Sequence, residues 1–496
     1  MEAEIELKLF FPSTQQHALT TFLDSLPHSE HKGQKQLLSN CYYDSDDLQL
    51  RRWDMGLRIR GCDGKFEQTI KTQGQVVGGV HSRPEYNVAL ASDQLDLALF
   101  PTEIWPQGLD IAALQAQLKP LFSTDFYRSK WHIYIEDSLV EVAIDMGQIS
   151  VDEQQEPICE IEFELLAGEP SALLSLGQQV AKQIPVRLGR ASKAQRGYRL
   201  SAKASPLSLE ALTFISLKPE ANLKQTFISL LATGIERWQI LENMLLDAFA
   251  NPEQLPLLSY RLRACIRLLR RTLEQFGQDQ ASLTTWFEEI EQHLEFVEQG
   301  LSLAAITDNN NSLIAKLPEA ESIAKQVERQ IQTMAIPEQI EALLNHQFYG
   351  QLQLALVQQL FDYQAGKRHF NNEIPLRDFA DEMQEASWQR IIKMVPAERD
   401  LSSQDYQAFA RALDESVFVG VAYGELYAAK DRDQFRAPWQ DLLLGIRSLA
   451  AYRTLRELQK DQPWNIEDWL QNKQESLLFA MEHSRRSALQ NNPYWR

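Results

Sequence analysis

Two different hydrophobic periods divide the chain. Up to about residue 200, apolar and polar residues alternate along short segments, at 2–10, 57–62, 65–72, 82–90, 126–136, 139–146 and 158–166. Because side chains of an extended strand point alternately to opposite faces, this period predicts a meandering antiparallel sheet. Two segments that are apolar on one side, near 13–26 and 170–184, predict helices that cover the sheet.

After about residue 217 the apolar residues recur at spacings of three and four over long stretches. These stretches are 222–250, 254–276, 281–300, 319–346, 347–365, 400–430, 437–460 and 465–490. This is the period of amphipathic helices. The segment 201–216 between the two patterns contains Pro206 and several serines, and it is the predicted linker. The predicted fold class is therefore α+β, with a sheet domain over 1–200 and an all-α helical bundle over 217–496.

The polar faces of the predicted strands carry strong charge. In the first strand Glu4, Glu6 and Lys8 share one face, while aliphatic residues occupy the other. The basic faces are Arg58/Arg60 and Arg128/Lys130/His132, the acidic ones are Glu141/Asp145 and Glu160/Glu162/Glu164, and the mixed ones are Glu67/Thr69/Lys71 and Arg83/Glu85/Asn87.

A closed sheet would turn these charged faces inward. Unpaired charges are costly to bury, so such an interior must hold water, metal and a polyanionic ligand. Arginine forks and lysines bind phosphoryl oxygens, and carboxylates bind Mg²⁺ or Mn²⁺. The alternative at this point is an ordinary amphipathic sheet with one face in water.

Composition narrows the classes of partner. The chain has 496 residues with 68 acidic and 49 basic side chains, a formal charge of −19. This charge argues against general affinity for nucleic acid or anionic membranes. The four cysteines form no CxxC pair, which favours packed, reduced thiols. No run of eighteen apolar residues and no signal-peptide pattern is present, so the sequence predicts a cytoplasmic protein.

The charged motifs resemble those of a known family. Glu4-Ile5-Glu6-Leu7-Lys8 is similar to the ExExK signature of CYTH domains, also called triphosphate tunnel metalloenzymes. Further matches follow in order at Gly56–Arg60, Thr69–Lys71, Arg83–Tyr86, Tyr127–Trp131, Ile144-Asp145, Glu160–Glu164, Ser192–Ala194 and Gly197-Tyr198. The resemblance covers nearly all of residues 1–200. It implies an eight-stranded antiparallel β tunnel with covering helices, which processes triphosphate with Mg²⁺ or Mn²⁺.

The resemblance also implies residue roles. The implied metal ligands are Glu4, Glu6, Asp145, Glu160 and Glu162, and the implied phosphate contacts are Lys8, Arg58, Arg60, Lys71, Arg128, Lys130 and Lys193. Arg83 and Glu85 are expected to form a supporting pair or to contact substrate in the tunnel. Glu4, Glu6 and Lys8 are the implied catalytic residues of an in-line hydrolysis, in which Lys8 either only binds phosphate or also assists the attacking water. Glu164 is either a third ligand of its strand or a solvated carboxylate.

The helical half resembles a CHAD domain, a helical partner often fused to CYTH domains. The match is clearest at Tyr260–Arg271, where Arg263, Arg267 and Arg270 share one helix face. The family usually has His where this chain has Tyr260, so binding of polyphosphate stays open. The other interpretation is that these arginines form ion pairs with acidic helices.

The expected function is metal-dependent hydrolysis of inorganic triphosphate to pyrophosphate and phosphate, with no nucleic acid or membrane as partner. Three alternatives remain: a polyphosphate-binding scaffold without turnover, a class IV adenylate cyclase, and a nucleoside or thiamine triphosphatase. For the last of these, Phe66 or Trp131 could stack on a ring of the substrate. Oligomeric state and the choice between the two metals are left open by the sequence.

Overall fold

The computed structural model describes residues 4–26, 34–201, 207, 213–307, 313–370, 374–395 and 399–496. Its contacts divide the chain into two compact units, Met1–Leu207 with Leu344–Phe361, and Ser208–Leu343 with Asp362–Arg496. Most of the predicted linker 201–216 lies outside the described residues. The predicted domain boundaries stay a prediction, and the sequence pattern does not indicate that residues 344–361 pack with the first unit.

One antiparallel sheet dominates the first unit. Its described strands are β1 (Glu4–Phe10), β2 (Gln34–Asp44), β3 (Gly56–Cys62), β4 (Lys65–Lys71), β5 (Gln75–Val77), β6 (Val80–Arg83), β7 (Glu85–Leu90), β8 (Lys119–Ile135), β9 (Ser138–Val151), β10 (Gln154–Ala167) and β11 (Arg187–Leu188). They are ordered β5-β6-β1-β10-β9-β8-β2-β3-β4-β7, and β11 pairs with β1.

The two ends of this sheet are joined by a single kinked segment. Strand β6 pairs with β1, strand β7 pairs with β4, and only Pro84 separates β6 from β7. Proline has no N–H to donate to a ladder, so pairing is interrupted there while the chain continues. If Val80–Leu90 is counted as one strand, then eight strands (β1, β10, β9, β8, β2, β3, β4 and β6–β7) encircle the interior. The α+β class is confirmed, and the eleven strands exceed the predicted eight because of this kink and two short strands.

The described residues also form sixteen α-helices. They are α1 (Gln16–Ser25), α2 (Gln49–Arg52), α3 (Ile111–Gln117), α4 (Ser171–Gln183), α5 (Lys193–Leu200), α6 (Leu223–Asp247), α7 (Leu255–Gln275), α8 (Ala281–His293), α9 (Phe296–Thr307), α10 (Ala320–Thr333), α11 (Ile336–Leu344), α12 (Gln347–Gln364), α13 (Leu376–Met394), α14 (Ser403–Tyr423), α15 (Ala429–Gln459) and α16 (Glu467–Gln490). No helix among them is long and apolar enough to cross a membrane.

The alternation in β1 separates a packed face from a charged one. Leu7 and Leu9 are fully buried on the outer face, where helix α4 packs against β1. Glu6 and Lys8 point to the opposite side, into the interior of the sheet. Apolar burial outside therefore fixes which side chains face inward, because a shift of one residue would exchange the two faces.

Helix α12 packs tightly on the first unit. A Cβ atom placed on Gly350 would lie 2.0 Å from the carbonyl oxygen of Val186, and one placed on Gly177 would lie 3.5 Å from a Leu354 methyl carbon. The side chains of Gln347 and Gln351 donate to carbonyl oxygens at the C-terminal end of α4, at 2.8 and 3.0 Å. This helix thus covers α4 and the strand that follows it.

The close approach at Gly350 gives a prediction about stability. Gly350→Ala is expected to lower the free energy of unfolding by about 1–3 kcal/mol, because the new methyl group meets backbone that cannot rotate away. The control is Gly300→Ala in α9, whose Cβ would meet its nearest neighbour at 3.4 Å and which should be neutral or stabilising. Urea unfolding of both variants measures the difference. Equal effects of the two substitutions would contradict the packing described here.

Candidate active site

A cavity of about 520 Å³ lies inside the sheet. All eight encircling strands contribute to its wall, and helix α5 adds the residues at one side. Twelve of the residues predicted for the site line it: Glu4, Glu6, Lys8, Arg58, Arg60, Lys71, Arg83, Glu85, Arg128, Lys130, Glu162 and Lys193. Asp145 and Glu160 do not line it; both are fully buried behind the wall.

Three carboxylates form a buried acidic cluster, Asp145, Glu160 and Glu162, whose oxygens lie within 4.8 Å of one another. Arg128 forms a bidentate pair with Asp145, with Nε–Oδ1 and Nη2–Oδ2 distances of 2.7 and 2.6 Å. Lys193 lies 2.6 Å from the Oδ2 atom of Asp145. Burial opposes the ionisation of Asp145, but these two cations outweigh it and hold its pKa below the ordinary value.

Lys8 reaches the same cluster from β1. Its Nζ atom lies 2.8 Å from Glu162 and 3.3 Å from Glu160, and Lys193 also contacts both carboxylates. Burial acts to raise the pKa of Glu162. Lys193, Lys8 and Arg128 outweigh burial and hold this pKa well below its ordinary value. For Lys8, burial disfavours the ammonium, yet Glu160, Glu162 and Glu6 raise its pKa well above the usual range. The buried acidic cluster is thus already neutralised by side chains of the protein.

A second group of carboxylates, Glu4, Glu6 and Glu164, lines the cavity on β1 and β10. Burial opposes the ionisation of Glu6, but Lys8, Lys71 and His81 outweigh it and lower its pKa. Glu6 lies directly opposite Glu164 in the β1–β10 register, and Glu4 lies on the same face of β1. The pKa of Glu4 is raised to about 8, first by burial and then by its hydrogen bond with Glu85, although Lys71 acts in the other direction. Burial, followed by Glu141 and Glu6, raises the pKa of Glu164. A bound cation would relieve the charge that raises the pKa values of Glu4 and Glu164, and carboxylates of this kind bind divalent metals. Among the described residues, the carboxylate oxygens that lie within 4.8 Å of one another are those of Asp145, Glu160 and Glu162.

The facing wall is basic. Burial lowers the pKa of Arg60, and the positive charges of the nearby Arg58 and Arg128 lower it further, to about 10. The Nε atom of Arg58 is buried without a hydrogen-bond partner among the described residues. Lys130 extends this wall and pairs with Glu141 at 2.7 Å. Like charges held together in this way favour binding of an anion with several oxygens.

Two predicted residues sit at the junction where the sheet closes. Arg83 lies opposite Glu4, and Glu85 lies opposite Lys71. Lys71 joins the two sides, with Nζ 2.7 Å from Glu4 and 2.6 Å from Glu85. Glu85 therefore pairs with Lys71, and the role expected for Arg83 and Glu85 stays a prediction.

Some residues near the cavity are not among the predicted site. His81 and Glu141 line it, and Arg196 on α5 hydrogen-bonds Glu160 at 3.3 Å. The sequence offered a signal for two of them, because His81 shares a strand face with Arg83 and Glu85, and Glu141 shares one with Asp145.

The aromatic residues considered for ring stacking are not at the cavity. Trp131 is fully buried on the outer side of β8 and donates to Asp24 at 2.9 Å, and Phe66 is not among the lining residues. Tyr42 and Phe126 are the aromatic side chains that line the described cavity.

The helical arginines are paired in the second unit. Arg263 contacts Glu298, Arg267 contacts Glu291, and Arg270 lies 3.3 Å from Glu274 and 3.4 Å from Glu288. The arrangement matches the ion-pair interpretation, and polyphosphate binding by this face stays a prediction.

The site is an encircling antiparallel sheet with a basic wall opposite a carboxylate wall. In a comparison with known proteins, residues 2–198 match the family model of the CYTH domain. The match covers the part of the chain in which the sequence motifs predict a CYTH domain.

Among curated proteins, the chain is 39% identical over 208 residues to an inorganic triphosphatase of Haemophilus influenzae. The match covers 41% of this chain and 56% of that protein, so the chain spans little more than half the length of this relative.

Solved structures include two similar chains. HpAC1 from Hippeastrum, described as an adenylyl cyclase candidate with a dominant triphosphatase activity, is 21% identical over 41% of this chain and 98% of its own, with a TM-score of 0.31. The CHAD domain from the plant Ricinus communis is 16% identical over 58% of this chain and 98% of its own, with a TM-score of 0.44. At these TM-scores neither likeness carries a statement about function.

Proposed function

We propose that this protein is a metal-dependent inorganic triphosphatase, which hydrolyses tripolyphosphate to pyrophosphate and phosphate inside the CYTH tunnel. The observation that carries the proposal is the division of one cavity into a side rich in carboxylates and a side rich in arginines. A linear triphosphate with its metal supplies the opposite charge to both sides at once. The relative in Haemophilus influenzae supports the same reaction class.

The proposed metal ligands are Glu4, Glu6 and Glu164, with Glu162 next to them on β10. This revises the set expected from the sequence, because Asp145 and Glu160 are buried behind the wall and already paired with cations. Mg²⁺ or Mn²⁺ bound there would neutralise phosphoryl oxygens and make a coordinated water more acidic.

The basic side chains bind and orient the substrate in this mechanism. Arg58, Arg60 and Lys130 hold the phosphoryl oxygens and stabilise charge that develops on the leaving pyrophosphate. The Nζ atom of Lys8 lies 2.8 Å from Glu162 and 3.3 Å from Glu160, and these two carboxylates stabilise its ammonium form. We therefore assign Lys8 to charge stabilisation and not to proton removal from the attacking water, which was the alternative left open by the motif.

The assay of this proposal is a comparison of substrates. Purified protein with Mg²⁺ or Mn²⁺ is expected to release orthophosphate from tripolyphosphate, to lose this activity in excess EDTA, and to recover it when Mg²⁺ is restored. ATP is tested in parallel, with nucleotide products separated by chromatography. Cyclic AMP would favour a cyclase, and tight binding of tripolyphosphate without turnover under any of these conditions would favour a scaffold.

A further inference from the structure

Lys8 lies where β1 changes its neighbour. Strand β6 pairs with β1 from Glu4 to Leu7, and β11 pairs with it at Leu9 and Phe10. Between these ladders the carbonyl oxygen of Lys8 accepts the N–H of Gly189, the residue directly after β11, at 2.8 Å. The position of the Lys8 backbone therefore depends on the position of the residue that follows β11.

Gly189 also contacts the side chains around this point. A Cβ atom placed on Gly189 would lie 2.6 Å from Cγ and 3.1 Å from Cδ of Lys8. Its carbonyl oxygen lies 3.1 Å from Nε2 of His81, which lines the same cavity. The position of Gly189 thus limits the path that the Lys8 side chain can take toward Glu162.

A glutamine of helix α12 holds β11 in place. Gln353 is 1% exposed, and its Oε1 accepts the N–H of Leu188 at 2.9 Å. Leu188 is the β11 residue that pairs with Leu9. Leu188 is 1% exposed, and loss of this acceptor leaves its buried N–H unpaired.

We propose that Gln353 is a positioning residue for Lys8, acting through Leu188 and Gly189. A segment far from the CYTH motifs in sequence would then be needed for full turnover in the tunnel. This inference rests on the proposed function, since it concerns where the Lys8 ammonium lies relative to the substrate. Small displacements of such groups lower the rate of the chemical step more than they lower binding.

The test is made in the full-length chain with tripolyphosphate and Mg²⁺. Gln353→Leu, which keeps similar bulk but no acceptor, is expected to lower kcat about tenfold and to change KM less than twofold. The matched control is Gln351→Leu, because Gln351 lies on the same helix but donates to Ala181 of α4. The control should keep kcat within twofold of wild type, while both variants lose similar thermal stability. In Gln353→Glu the neutral carboxylic acid keeps both an acceptor and a donor. This variant should therefore have a kcat within threefold of wild type.

A double-mutant cycle separates positioning from general loosening. Gly189→Ala should lower kcat at least tenfold by displacing Lys8, and the Gln353→Leu/Gly189→Ala double variant should be no slower than the slower single variant. Additive losses, wild-type kcat in Gln353→Leu, or an equal loss in Gln351→Leu would overturn the inference while the triphosphatase proposal stands. Absence of turnover by the wild-type protein would instead overturn the proposed function itself.

Discussion

Glu6→Gln is expected to lower the rate of phosphate release from tripolyphosphate about a hundred- to a thousandfold. Glutamine keeps the shape of the side chain but removes the charge opposite Glu164 that, on our proposal, holds the metal. Because the metal supplies much of the charge stabilisation in phosphoryl transfer, loss of one ligand should affect turnover strongly. Binding of Mn²⁺, followed by its electron paramagnetic resonance signal, should weaken in the same variant.

The matched control for this substitution is Glu153→Gln, in the exposed turn between β9 and β10. This substitution changes the net charge of the protein by the same amount, but Glu153 lies away from the cavity. Its activity and Mn²⁺ affinity should equal those of the wild type. If Glu6→Gln retained full Mn²⁺ affinity and full turnover, the assignment of the carboxylate side as the metal site would be wrong.

Much of the tunnel wall could be predicted because it depends on a strictly local property. The alternation of Glu6 and Lys8 with Leu7 and Leu9 fixes which residues face inward, whatever the strand pairing turns out to be. Eleven of the fourteen predicted site residues line the cavity for this reason, as the alternation repeats in each charged strand. A twelfth, Lys193, lines it from helix α5.

The pairing of charges between neighbouring strands could not be predicted in this way. It depends on the register of β1 against β10, which sets Lys8 opposite Glu162 and Glu6 opposite Glu164. This register joins residues more than 150 positions apart. A pattern within one strand carries no information about it, and so the sequence did not show which carboxylates pair with Lys8 and Lys193.

The placement of α12 also required tertiary information. Its sequence has the period of a helix, and the structure confirms a helix there. Nothing in that period indicates that Gln353 bonds a strand 165 residues earlier. In contrast, Pro84 is visible in the sequence, and its missing N–H gives a physical reason for the interruption between β6 and β7.

Asp145→Asn is expected to lower the free energy of unfolding by about 3–5 kcal/mol, because it removes one partner of a fully buried ion pair and leaves Arg128 and Lys193 with less negative charge nearby. The two N–H bonds from Arg128 to the carboxylate would be replaced by at most one good acceptor. Urea unfolding with and without Mg²⁺ measures the loss. Under conditions in which the variant is fully folded, its Mn²⁺ affinity should stay within twofold of wild type, since we place Asp145 outside the metal ligands.

Asp46→Asn is the matched control, because Asp46 forms an ion pair with Lys119 at 2.6 Å in which both side chains are largely exposed. Exposed pairs contribute little, so this variant should lose less than about 1 kcal/mol. The contrast between the two aspartates measures what burial adds to an ion pair in this fold. A large fall in Mn²⁺ affinity in Asp145→Asn, with stability preserved, would instead make the buried acidic cluster the metal site and return Asp145 and Glu160 to the ligand set that the CYTH resemblance implies.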